Sequence, residues 1–145
     1  MDNNNIIIAE VGSVHDGSFG NAIKLIQAAA KCGANVVKFQ THIPEAETLR
    51  SAPNPQYFTQ EGRYQYFART AFTVDQWKSL SSEAQNFGVE FISSPFSLEA
   101  VDLLEEVGMQ TYKIPSGEVT NLPMLEKISA LGKPVILSSG MSSWQ

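Results

Sequence analysis

The sequence predicts an α/β protein in which strands and helices alternate along the chain and the strands form one parallel sheet. Three observations carry this. Apolar runs of strand type recur at 6–11, 36–41, 90–96, 111–116 and 135–139. Between them the apolar pattern takes helical spacing, as at Ala22, Ile23, Ile26, Ala29 and Ala30. Gly33, Gly88, Gly108 and Gly132 each close such a helix just ahead of a strand, and no hairpin signal joins two strands. Serial β–α units of this kind pair in parallel through right-handed crossovers. Two architectures fit, a (β/α)8 barrel and an open doubly wound sheet. No G-x-G-x-x-G or Walker A motif follows a strand, which weakens the nucleotide-binding version of the second.

In chain order, Ile6–Val11 reads as a buried strand carrying one carboxylate, Glu10, near its end. A turn at Gly12–Gly17 leads to a helix from Ser18 to Gly33, and Val36–Thr41 is the second strand. The segment 42–72 is too long for a simple turn. It holds Pro44, Pro53 and Pro55 with an aromatic cluster of Tyr57, Phe58, Tyr64, Tyr66 and Phe67, and is expected to be a partly helical excursion over one end of the sheet. Thr73–Phe87 is a helix opened by a capping box of Thr73 and Gln76. Glu90–Phe96, the helix Ser97–Val107, Thr111–Ser116, the helix Leu122–Leu131 capped by Asn121, and Val135–Ser139 complete the series. Met141–Gln145 reads as a loop and the start of a helix.

The 145 residues are 43% hydrophobic and 17% charged, which suits one globular unit with a real core. A net charge of −5 without a basic run argues against a nucleic-acid partner. The lone Cys32 excludes a disulfide framework and is expected to be a buried structural thiol. The N-terminus lacks a signal-peptide pattern and no apolar run approaches the roughly 20 residues of a membrane span, so a cytoplasmic protein with no membrane partner is expected.

The polar residues of the strands gather at their C-terminal ends: Glu10, Lys38 with Gln40, Ser93 with Ser94, Lys113 with Ser116 and Glu118, and Ser138 with Ser139. A barrel places its active site at that end. A lysine in an apolar strand is costly unless an anion or carboxylate meets it. Two lysines with several hydroxyls suit a phosphate or carboxylate ligand, and Glu10 and Glu118 suit acid–base work or sugar hydroxyls. Within the protein, Lys38 can also pair with Glu10. His15 and His42, in the loops after strands one and two, are expected to touch substrate or to hydrogen-bond; no third ligand at a metal-site spacing accompanies them.

The motifs I-A-E-V-G-S-V-H-D-G, V-V-K-F-Q-T, F-I-S-S-P-F, Y-K-I-P-S-G-E and K-P-V-I-L-S-S-G-M, in this order over Ile6–Met141, resemble those of the sialic acid synthases. That family comprises N-acetylneuraminate, legionaminate and pseudaminate synthases. The resemblance implies a (β/α)8 barrel, of which this chain supplies about the first five βα units. It implies an enzyme condensing phosphoenolpyruvate with an N-acylated amino sugar and releasing phosphate by C–O cleavage, for surface carbohydrate biosynthesis. A divalent metal, Mn2+ or Mg2+, is implied as Lewis acid, with its histidine ligands on later strands, and so is a homodimer with an antifreeze-like domain. By motif, Lys38, Ser94, Lys113, Ser116 and Ser138 correspond to the phosphoenolpyruvate-binding set, Glu10 to the sugar-binding carboxylate, and Glu118 to the group handling the proton of the attacking water. Gln40 and His15 join the substrate-binding residues. One departure stands out: Val14 occupies the place of the family's usual Asn before His15.

A (β/α)8 barrel needs about 250 residues, so the chain is expected to be the N-terminal portion of a longer protein and incomplete for catalysis by itself. A non-catalytic anion-binding or assembly protein, and a synthase of another 3-deoxy-ulosonate, are the rival readings.

Overall fold

The computed structural model describes residues 5–56 and 60–143. Tyr57 and Phe58 of the aromatic cluster, and Trp144 and Gln145 of the expected helix start, lie outside the described residues.

A five-stranded parallel sheet runs in the order β1-β2-β3-β4-β5, where β1 is Ile8–Gly12, β2 Val36–Thr41, β3 Glu90–Pro95, β4 Tyr112–Ile114 and β5 Val135–Leu137. Between β1 and β2 lies α1 (Phe19–Lys31). The excursion after β2 holds α2 (Pro44–Glu47) and α3 (Arg63–Thr70), and α4 (Val74–Asn86) leads into β3. Helices α5 (Leu98–Val107) and α6 (Leu122–Ala130) follow β3 and β4. Sequential strand order, with α1 against α4, α4 against α5 and α5 against α6, is how a barrel wall winds. A doubly wound sheet would reverse its order at a switch point. The barrel-type reading therefore holds.

Local chemistry sets the element ends. Ser18, Thr73, Ser97 and Asn121 accept hydrogen bonds from the first-turn amides of α1, α4, α5 and α6. The capping box at Thr73 is complete, with Gln76 returning a bond to the Thr73 amide. Two strand ends differ from expectation. β4 stops at Ile114 because Pro115 leads into a 3-10 turn over Ser116–Glu118. β5 ends at Leu137, although the Ser138 amide still bonds Ile114 O.

The core lies between the sheet and the helices. Phe39 meets Trp77 edge-on at 5.9 Å and Phe91 at 5.2 Å. Tyr112 is fully buried and donates its hydroxyl to Glu105 of α5 at 2.6 Å. Cys32 corrects the expectation of a buried thiol: it is exposed, because it stands at the C-cap of α1, past the residues that face the sheet. No helix among the described residues is long and apolar enough to cross a membrane. Leu137 of the edge strand β5, and Ile6 and Ile7 just ahead of β1, are exposed.

Candidate active site

Strand pleating decides which polar groups share the pocket. Val37, Phe39 and Thr41 of β2, and Phe91 and Ser93 of β3, face the helices. Lys38, Gln40, Ile92 and Ser94 therefore face the other way. Tyr112 turns to α5, which sends Lys113 to that same inner face. The neighbours Ser93 and Ser94, alike in the sequence, thus differ in kind. Ser93 is tied to Thr41 on the helix side, hydroxyl to hydroxyl at 2.7 Å. The Ser94 hydroxyl is buried and meets no hydrogen-bond partner among the described residues. A buried hydroxyl left unpaired costs about 1–3 kcal/mol.

Glu10 and Lys38 are paired in register on β1 and β2, and their side chains form an ion pair. The lysine side chain is 10% exposed and the carboxylate 53%, so the buried cation meets a partner that water still reaches. Lys113 donates to Ile114 O at 2.9 Å. Burial pushes its ammonium below the usual lysine range, Lys38 adds repulsion, and Glu10 opposes both. Two cations and one carboxylate therefore share one electrostatic environment with a net positive balance. Ser116 and Ser138 approach each other around Gly140: a Cβ there would lie 3.7 Å from Ser116 Cβ and 3.9 Å from the Ser138 hydroxyl.

Glu118 accepts from Asn121 Nδ2 at 2.8 Å, while Asn121 Oδ1 caps α6 through the Met124 amide. It lines a cavity of about 440 Å³ together with Glu47, Arg63, Phe96 and Ser97. Gln40, His42, Val14, Tyr66, Arg63 and Phe96 help line a second cavity of about 410 Å³, so Arg63 and Phe96 border both. Asn121→Ala removes the cap and the Glu118 partner together. It is expected to lower stability by about 1 kcal/mol, read as a fall in the thermal midpoint.

His15 is buried, 1% exposed, with its ring 4.5 Å from that of Phe72 and 5.9 Å from that of Phe39. The Gly17 amide donates to Nδ1 at 3.1 Å, which requires that nitrogen unprotonated, and burial pushes the ring below the usual histidine range. The residue shapes the loop after β1. His42 is held on every side by Gln40, Glu47, Phe67 and Phe96. Glu47 and Arg63 were not singled out by sequence reasoning, and Asn121 was read only as a helix cap. The legible signal for Glu47 was Pro44 directly after a strand, a helix-start mark that turns a carboxylate back onto His42.

Among the described residues no group of three or more His, Cys, Asp and Glu side chains comes together as a cation site. Within these residues no set of side chains fits the divalent metal of the family resemblance, whose histidine ligands that resemblance places on later strands.

The NeuB family model matches residues 25–145. N,N'-diacetyllegionaminic acid synthase of Campylobacter jejuni is 41% identical over 143 residues, covering 95% of this chain and 43% of that protein. N-acetylneuraminate-9-phosphate synthase of Mus musculus is 36% identical, over 94% of this chain and 39% of that one. The crystal structure of an N-acetylneuraminic acid (sialic acid) synthetase from Leptospira borgpetersenii superposes with a TM-score of 0.81 and 29% identity, covering 97% of this chain and 47% of that chain. The chain thus spans about two fifths of the length of the curated relatives it matches.

Proposed function

The chain belongs to the NeuB family, and from that premise we propose that the protein condenses phosphoenolpyruvate with an N-acylated amino sugar to give a nonulosonic acid and phosphate. The observation that carries the reading is the inner-face cluster: buried Lys38, Lys113 with its lowered pKa, and the unpartnered hydroxyl of Ser94. Such a set suits an anionic ligand. Phosphoenolpyruvate brings a phosphate and a carboxylate, and the lysines with Ser94, Ser116 and Ser138 supply charge and directed donors for both.

The roles follow from the chemistry. C3 of the enol attacks the aldehyde carbon of the open-chain sugar, forming the new C–C bond, and the aldehyde oxygen takes a proton. Positive charge develops at C2 and water adds there, giving up a proton to a carboxylate, for which Glu118 is the candidate. The resulting tetrahedral centre collapses to the ketone with cleavage of the bond between C2 and the phosphate oxygen. Lys38 and Lys113 stabilise the departing phosphate. Glu10, neutralising Lys38 yet half open to water, is placed to receive sugar hydroxyls. Dependence on Mn2+ or Mg2+ and a homodimeric state belong to the same proposal.

The test is phosphate release from phosphoenolpyruvate, N-acetylmannosamine and Mn2+ by the protein as its reading frame encodes it. Release that needs the sugar is expected. Binding of phosphoenolpyruvate without any turnover would instead favour the non-catalytic anion-binding reading.

A further inference from the structure

His42 and Glu47 form a pair that the proposed chemistry leaves unused. Their side chains are 5% and 3% exposed, with Nδ1 lying 2.8 and 3.1 Å from the two carboxylate oxygens. The ring is sandwiched between Phe67 at 3.7 Å and Phe96 at 4.1 Å, both nearly parallel to it. A buried imidazole–carboxylate pair is a poor way to hold a fold together, since apolar side chains of like volume do as well or better. Its use has to be sought in what the other ring nitrogen does.

Nε2 lies 3.2 Å from Gln40 Oε1. The opposite end of that amide, Nε2 of Gln40, lies 3.5 Å from where a Cβ on Gly12 would sit, and Glu10 Oε1 is 3.2 Å from the same point. Gln40 thus turns its Oε1 to His42, while its Nε2 lies over Gly12, where Glu10 Oε1 also lies. The two ends of a glutamine amide are nearly isosteric and exchange by a half-turn, so an unconstrained Gln40 would offer either. An N–H at His42 Nε2 selects one orientation, because only the carbonyl oxygen can accept it. On the other side of the ring Nδ1 faces both Glu47 carboxylate oxygens, and the two phenyl rings shield this contact from water.

We propose that His42 and Glu47 are positioning residues for the acceptor sugar: they hold Gln40 so that its amide NH2 is offered, beside the Glu10 carboxylate, to a sugar hydroxyl. A hydroxyl both donates and accepts, so a fixed donor next to a fixed acceptor recognises it, and the bordering cavity of about 410 Å³ has room for a hexosamine. This rests on the synthase reading of the same site.

The apolar double variant His42→Phe with Glu47→Leu tests it, because the packing between Phe67 and Phe96 is kept while the lock on Gln40 is lost. The expected result is a KM for N-acetylmannosamine raised roughly tenfold or more, as for one lost directed hydrogen bond. The KM for phosphoenolpyruvate and the thermal midpoint should hold or improve. A lowered midpoint with an unchanged sugar KM shows a merely structural pair and overturns the proposal. A wild-type protein that binds no phosphoenolpyruvate sinks the synthase reading and this inference with it, whereas one that turns over normally beside an equally competent double variant sinks only the inference. Nitrogen-15 spectra of the wild-type histidines need no variant: a proton on His42 Nε2 is required, and a bare Nε2 also overturns it.

Discussion

Replacing Lys113 with alanine is expected to weaken phosphoenolpyruvate binding by roughly ten- to a hundredfold, the range for losing a charged donor to an anion, while stability changes by less than about 1 kcal/mol. The asymmetry follows from the site. Without ligand, Lys113 is desolvated and repelled by Lys38, and its one hydrogen bond is to Ile114 O, the carbonyl of the next residue. It therefore adds little to the folded state. An incoming phosphate or carboxylate reverses each of those penalties. Titration calorimetry on the two proteins decides: equal affinities would falsify the assignment of Lys113 to the anion pocket.

The same shift gives a pH dependence whose sign differs between binding and folding. An anion favours the charged ammonium, so binding takes up a proton wherever Lys113 is partly neutral. Affinity should fall as pH rises through the lowered Lys113 range, and that part of the fall should vanish in Lys113→Ala. For folding, the unfolded chain carries an ordinary lysine and holds its proton more tightly than the folded one does. Ligand-free stability should therefore rise with pH between the lowered value and the ordinary lysine pKa.

Much of this was legible in the sequence. The helix caps and left-handed glycines are local signals, and local signals mark element boundaries well. The inner-face lysines were legible too, because a charged group inside an apolar strand has few explanations. What escaped depended on contacts between distant segments. The burial of His15 depends on Phe72, from the end of the excursion, whose ring covers its own. Ser93 and Ser94 look alike until the first meets the Thr41 hydroxyl, while the second meets no partner among the described residues. Asn121 holds the Glu118 carboxylate, which borders the cavity that Arg63 and Glu47 line. The excursion thus contributes side chains to that cavity, which its irregular composition did not announce.

How firmly that excursion is seated can be measured at Gly17. The turn after β1 is docked on α3: Asp16 pairs with Arg69 at 2.6 Å, the Tyr66 hydroxyl donates to Ser13 O at 3.4 Å, and Gly17 lies against the Arg69 backbone. Gly17 has φ +79°, and a Cβ there would stand 2.4 Å from Arg69 O. An L side chain in that backbone region costs about 1–2 kcal/mol and forced overpacking about 1–3 more. Relief requires the turn or α3 to move, since the obstacle is a carbonyl and not a pliable side chain. Gly17→Ala should therefore lower stability by roughly 2–5 kcal/mol, a fall of about 10 °C in the thermal midpoint for a chain this size. It should also weaken substrate binding, because α3 carries Arg63 and the Phe67 ring that backs His42. Gly20 supplies the control. It lies in α1 with nothing within 4 Å of a Cβ, so Gly20→Ala should raise stability by about 0.5–1 kcal/mol. A loss at Gly17 beyond the about 1–2 kcal/mol that its backbone region costs by itself is expected only if the turn after β1 is clamped against α3; a harmless Gly17→Ala would show the excursion to be loosely held.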